Sequence, residues 1–152
     1  MAILETKYRD LLDAFDANEI QIIIHGCNCF RSFGAGIAKS IKERYPEAYD
    51  ADLNTGHGDK NKLGQYSYAK LSDDKTIINA YTQYAYGRNK VNADYDAIRK
   101  VFILLEEKYR NSNILIGIPM IGAGLAGGDW ETISNIINDV TPSLNIILYV
   151  LK

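Results

Sequence analysis

The sequence predicts an α/β fold, a three-layer α/β/α sandwich with a central mixed sheet of about six strands. Three observations predict it. The runs 20–24, 114–118 and 144–151 are almost wholly apolar and rich in β-branched residues, as strands covered on both faces are. Amphipathic helical patterns alternate with these runs along the chain. Two glycine-rich turns each lead from a buried run into a helix, at the sheet edge where α/β proteins bind ligands.

Each element has its own signal. Residues 3–8 form a weak strand pattern, and 20–24 (Ile-Gln-Ile-Ile-Ile) a strong one. A helix over 36–45 places Ile37, Ile41 and Tyr45 along one side; Pro46 stops it and opens a short helix through Leu53. The polar stretch 54–62 reads as a surface loop. Segments 63–69 and 76–82 suit strands nearer an edge, joined through Asp73-Asp74-Lys75 as a hairpin. After a second loop, 87–92, a helix over 93–110 aligns Ile98, Val101, Phe102, Leu105 and Tyr109 on one face. Asn92 is its expected cap, with Asp94 and Asp96 in the first turn and Lys108 and Arg110 in the last. A last helix, 130–140, aligns Trp130, Ile133, Ile137 and Val140 and ends at Thr141-Pro142. The expected order is β, β, α, α, β, β, α, β, α, β.

Composition narrows the class. A chain of 152 residues with 47% apolar residues fits one domain, taken as 1–152, that buries a core without staples. Seventeen basic residues against 19 acidic ones leave a net charge of −2, which by charge alone argues against a nucleic-acid partner. Cys27 and Cys29 are too few for a disulfide framework. The start has no apolar core of a signal peptide, and no apolar run approaches ~18 residues. The expectation is an intracellular, cytoplasmic domain with no membrane partner. The oligomeric state has no signal.

The two glycine-rich turns carry the candidate chemistry. The first runs His25-Gly-Cys-Asn-Cys-Phe-Arg-Ser-Phe-Gly34-Ala-Gly36, the second Pro119-Met-Ile-Gly122-Ala-Gly124-Leu-Ala-Gly127-Gly128-Asp129-Trp130, and together they hold seven of the 12 glycines. Glycines let the backbone approach a ligand and turn N–H groups toward it, and a helix N-terminus adds about half a positive charge. A pair of such loops suits a diphosphate. Neither matches the phosphate loop G-x-x-x-x-G-K-[ST] or a clean G-x-G-x-x-G. His25, Cys27 and Cys29 share a strand face in an H-x-C-x-C pattern, but zinc needs more ligands than these and the loop residue His57 offer, so no metal is assigned. His25 is either a hydrogen-bonded core histidine or an acid–base residue. Asp129 is either a helix N-cap or a carboxylate beside the second loop. Asn28 is either a turn residue or a sugar-hydroxyl partner. The tyrosines 66, 68, 81, 84 and 86 read as packing rather than as a base-stacking platform.

Residues 22–38, continuing through Arg44-Tyr-Pro-Glu-Ala48, resemble the macrodomain, and within it the branch of ADP-ribose-1''-phosphate phosphatases. The second loop, 121–131, is similar to that branch's phosphate-binding loop, and the end of the chain, Leu148-Tyr149-Val150-Leu151, fits its last strand. The resemblance implies ADP-ribose or a derivative as ligand, no cofactor, and hydrolysis of the phosphate ester of ADP-ribose 1''-phosphate. It implies Asp10 as the acceptor for the adenine amino group, although Arg9 stands where the family has glycine. It implies Asn28 at the distal ribose, Gly34, Ala35, Gly36 and Ile37 as the first diphosphate loop, and Ile121, Gly122, Ala123, Gly124 and Leu125 as the second, with Tyr149 beside the ligand. His25 matches the residue assigned catalysis in that branch, as nucleophile or general acid–base, and Asp129 its acidic companion. A related branch uses a lysine on the strand matching 76–83; that stretch here ends Tyr81-Thr82-Gln83. Two other readings share the same ADP-ribose mould: hydrolysis of an ADP-ribosyl ester on protein or nucleic acid, and a non-catalytic ADP-ribose reader.

Overall fold

The β-branched runs assemble side by side. In the computed structural model, which describes residues 2–87, 91–124 and 126–151, they form one six-stranded sheet ordered β1-β6-β5-β2-β4-β3. The strands are β1 (Ile3–Lys7), β2 (Ile22–Cys27), β3 (Tyr66–Ser72), β4 (Lys75–Tyr81), β5 (Leu115–Ile118) and β6 (Asn145–Tyr149). All neighbours pair in parallel except β3 with β4, which form the expected hairpin across Asp73 and Asp74. Parallel pairing requires helical crossovers, and these cover both faces.

On one face lie α4 (Tyr95–Tyr109) and α5 (Trp130–Val140), which bury Ile98, Val101, Phe102, Leu105, Ile133 and Ile137 against Ile22, Ile24, Ile116 and Ile146. On the other lie α1 (Leu11–Asp16), α2 (Gly36–Arg44) and α3 (Pro46–Leu53), packed through Leu12, Phe15, Ile41 and Ala48 against Ile23, Ile77 and Ile147. The helix α1 is absent from the sequence-based order. Its six residues are too few to show a helical period; burial of Leu11, Leu12, Ala14 and Phe15 and the Asp10 cap hold it in place. A 3₁₀ turn over Lys60–Lys62 interrupts the expected loop 54–62. The helix α4 begins later than expected. Its cap is Asp94, whose carboxylate accepts from the Ala97 N–H at 3.0 Å, while Asn92 instead donates to the Gly87 carbonyl. The expected loop 87–92 includes 88–90, which lie outside the described residues.

Among the described residues, no helix is long and apolar enough to cross a membrane. The strands that matter for the site are β2 and β5. They are neighbours, with Ile22 opposite Ile116 and Ile23 opposite Gly117, so the two glycine-rich turns leave the same edge side by side.

Candidate functional site

Where β2, β5 and β6 end, the chain encloses a cleft of about 820 Å³. One end is formed by Arg9, Asp10, Leu11 and Leu12 at the start of α1, together with Tyr149, Val150 and Leu151. Its middle is walled by Gly34, Ala35, Gly36 and Ile37 on one side and Ile121, Gly122, Ala123 and Gly124 on the other. Cys27, Asn28, Gln83, Tyr86 and Gly87 also line it. Leu125 lies outside the described residues.

The two walls differ in how the sequence builds them. In the first, Gly36 takes φ 60°, a left-handed conformation that favours glycine, and starts α2. Aspartates cap α1, α4 and α5, but the residue before α2 is Ala35 and no side chain caps it. The first three N–H groups of α2 therefore have neither an intrahelical nor a side-chain partner, and they open at the cleft. In the second wall, Gly122 sits at φ 75°, and its carbonyl accepts from the Gly128 N–H at 2.7 Å, which closes the turn. A Cβ on Gly128 would stand 2.6 Å from that same carbonyl oxygen, so the loop requires glycine there.

Asp10 uses one carboxylate oxygen to accept from the Leu12 and Asp13 N–H groups at 2.8 and 3.1 Å. The guanidinium of Arg44 stands 3.8 Å from that oxygen and also pairs with Asp13 and Asp16. Asn28 is nearly buried; its side-chain oxygen accepts from the Phe30 N–H at 2.9 Å and its amide donates to the Ser32 carbonyl at 3.0 Å. That leaves one N–H of the carboxamide for a ligand. Tyr149 is 3% exposed, and its hydroxyl has no hydrogen-bond partner although it belongs to the cleft wall.

Two expected catalytic residues lie elsewhere. His25 is wholly buried and does not line the cleft. Its Nε2 lies 2.7 Å from Asn79 Oδ1, and its ring meets Phe33 edge-on at 5.3 Å. Burial outweighs that hydrogen bond and pushes the imidazole pKa down to about 4, so it is neutral at pH 7. His25 and Cys27 share one face of β2, and Gly26 between them points the other way, toward Thr82 and Ile121. Cys27, at the strand end, reaches the cleft, and His25, two residues earlier, lies behind it against Phe33 and Asn79. Asp129 is the N-cap of α5. Its carboxylate accepts from the Thr132 N–H at 3.1 Å and the Thr132 hydroxyl at 2.6 Å, and these bonds hold its carboxyl below the usual range. It is exposed, and it does not line the cleft. It caps α5.

The H-x-C-x-C pattern also separates. Cys27 Sγ lies 3.6–3.8 Å from the His25 ring nitrogens, whereas Cys29 Sγ points to the Gln83 carbonyl at 3.5 Å. Burial raises both thiols. Among the described residues, no group of three or more His, Cys, Asp or Glu converges.

Arg9, Gln83 and Tyr86 line the cleft although none is among the expected site residues, and the tyrosine stripe reads in the sequence as packing. Tyr84 and Tyr86 follow β4 rather than continuing it; Phe30 meets Tyr84, His57 and Tyr86 at 4.9, 5.4 and 6.3 Å. Tyr86 is 58% exposed at the cleft edge. Their signal was a polar turn rich in aromatics just past a strand end.

No family model matches the chain. It is 36% identical over 132 residues to an uncharacterized 17.5 kDa protein from the tk-vs intergenic region of Enterobacteria phage T4, covering 83% of each chain. It is 30% identical over 159 residues to the ADP-ribose 1''-phosphate phosphatase of Debaryomyces hansenii, covering 86% of this chain and 88% of that one. Solved structures share the fold. A Bacteroides thetaiotaomicron protein of unknown function superposes with a TM-score of 0.80 at 20% identity, over 99% of this chain and 100% of that one. The macrodomain of Mycobacterium tuberculosis DarG does so with 0.75 at 24%, over 99% of each. Thermosipho africanus DarTG, solved in complex with ADP-ribose, does so with 0.69 at 17%, over 91% of this chain and 39% of that one.

Proposed function

The chain belongs to the macrodomain family, with the ADP-ribose 1''-phosphate phosphatases among its relatives, and from that premise we propose that it binds ADP-ribose and hydrolyses ADP-ribose 1''-phosphate. The observation that carries the reading is the uncapped start of α2 facing the loop 121–124 across one cleft. A diphosphate between them meets backbone N–H groups and the positive end of a helix dipole, with no lysine required. This is how a chain of net charge −2 holds an anion.

Asp10 and Tyr149 flank the end that takes the adenine. Asn28 turns its remaining N–H to the distal ribose, whose 1''-phosphate extends toward Gly124 and Tyr86. Water adds to phosphorus as the bond from phosphorus to O1'' breaks; one proton of that water ends on O1'' and the other stays with the phosphate, so that ADP-ribose and inorganic phosphate leave. Among the described residues the cleft wall holds no histidine, no lysine and no acid besides Asp10. In this reading the amide donors of the two loops stabilise the developing phosphoryl charge and hold the ester in orientation.

The test is release of inorganic phosphate from ADP-ribose 1''-phosphate, with ADP-ribose binding measured by calorimetry. We expect release, inhibition by ADP-ribose, and a rate at least about tenfold lower in Asn28→Ala, the scale of one lost positioning contact. Tight ADP-ribose binding without release replaces this reading with that of a reader. Release of ADP-ribose from a glutamyl ester alone replaces it with that of an ester hydrolase.

A further inference from the structure

Behind the cleft, polar side chains of three strands stand in one rung. In the sheet register His25 of β2 pairs with Asn79 of β4, and Asn79 pairs with Ser67 of β3. All three belong to the face covered by α3. His25 Nε2 is 2.7 Å from Asn79 Oδ1; Asn79 Nδ2 donates to the Ala48 carbonyl at 2.9 Å and to Ser67 Oγ at 3.0 Å. Ser67 Oγ is 2.7 Å from the Tyr81 hydroxyl, which donates to Asp52 Oδ1 at 2.6 Å.

Both ends of this chain fix its direction. The Ala48 carbonyl can only accept, so the amide nitrogen of Asn79 faces it and Asn79 Oδ1 faces His25. His25 must then donate from Nε2, which leaves the lone pair on Nδ1, 3.8 Å from the Cys27 thiol. At the far end Asp52 accepts from Tyr81, so Tyr81 accepts from Ser67, and Ser67 accepts from Asn79. Each member donates to the next, toward a carboxylate paired with Lys62 at 3.8 Å. A chain aligned in this way strengthens each of its bonds.

We propose that His25 is a positioning residue: Asn79 locks its imidazole as the Nε2–H tautomer, and that ring supports Cys27 on the cleft floor and Phe33 in the first glycine loop. Cys27 lines the cleft, and Phe33 lies within the loop that carries Asn28, Ser32 and Gly34. His25 acts on the ligand through these two contacts and exchanges no proton with it. The assignment rests on the proposed hydrolysis for its kinetic arm only. The ionisable groups facing the network are Cys27 from β2, Tyr81 from β4, Asp52 from α3 and Lys62 from the 3₁₀ turn.

Two experiments decide it. Imidazole ¹⁵N spectra of the intact protein report the tautomer directly. We expect the neutral Nε2–H form from pH 5 to 8, lost in Asn79→Leu; an Nδ1–H form, or a titration midpoint near that of a free histidine, overturns the proposal. In kinetics, His25→Gln places a side-chain N–H near the position of Nε2. We expect it to keep more than about a tenth of kcat with an unchanged pH profile, while His25→Ala raises KM and weakens ADP-ribose binding roughly tenfold. Equal loss of kcat by about a thousandfold in both variants, with ADP-ribose affinity intact, makes His25 a catalytic residue and overturns the proposal. If the wild-type protein releases no phosphate, the proposed reaction fails, while the tautomer and ADP-ribose affinity still decide the role of His25.

Discussion

Tyr149 shows how a single atom can be held for a ligand. Its ring is packed against Gly117, where a Cβ would lie 2.3 Å from Ile20 Cδ1, 2.7 Å from Leu11 Cδ1 and 3.2 Å from Tyr149 Cε2, so the glycine makes room for all three. Its hydroxyl is buried in the cleft wall with no partner, and burial raises its pKa. An unsatisfied buried hydroxyl costs about 1 kcal/mol or more of stability. Tyr149→Phe should therefore unfold at an equal or higher urea midpoint, by up to about 1 kcal/mol, and bind ADP-ribose several-fold more weakly. Urea titration and calorimetry on the same samples check both halves; unchanged affinity removes the hydroxyl from the site. His25 is the opposite case, a side chain whose chemistry is spent inside the fold. In the sequence both are polar groups near strand ends, and which one reaches the cleft depends on its distance from the strand end and on what packs over it.

At the scale of elements, α2 forgoes a stabilising cap and α5 keeps one. Ala35 has extended backbone angles, φ −150° and ψ 162°, which suit an N-cap, yet its methyl group caps nothing. Ala35→Asp should add about 1 kcal/mol of stability by accepting from the free N–H groups of α2. The same carboxylate would occupy the anion site, and ADP-ribose affinity should fall by more than about tenfold through lost amide contacts and charge repulsion. Thermal unfolding and calorimetry should move in opposite directions; a variant that is more stable and binds as well as wild type separates the α2 terminus from the ligand. The sequence showed this element and its turn well, because glycine spacing and a helical period are local signals. It hid α1, six residues long, whose place is set by the core beneath it. It also set the cap of α4 two residues early, since Asn92 and Asp94 are both good caps and the loop's tertiary bonds chose between them.

For the whole molecule, the buried polar network ties acid stability to the site. His25 stays neutral in the fold down to about pH 4, whereas an unfolded histidine takes up a proton near 6.5. Its contribution is fully present above pH 6.5 and is lost as pH falls toward 4, to a total of about 3 kcal/mol. Asp52, whose carboxyl burial pushes up, changes stability in the opposite sense. The comparison that isolates the imidazole is wild type against His25→Gln by urea unfolding at pH 7 and pH 5. The wild type should lose more stability on acidification; parallel losses remove His25 from the balance. Two facts of the sequence by themselves determined much of this protein: β-branched runs alternating with amphipathic helices set a covered parallel sheet, and two glycine-rich turns at strand ends set an anion cleft with little positive charge. Both are short-range patterns read from neighbouring residues. Only the tertiary structure decided which side of the sheet each polar residue serves. Ser67 of β3, Asn79 and Tyr81 of β4 and Asp52 of α3 meet through register and packing, and their meeting turns His25 away from the ligand and into the support of the cleft.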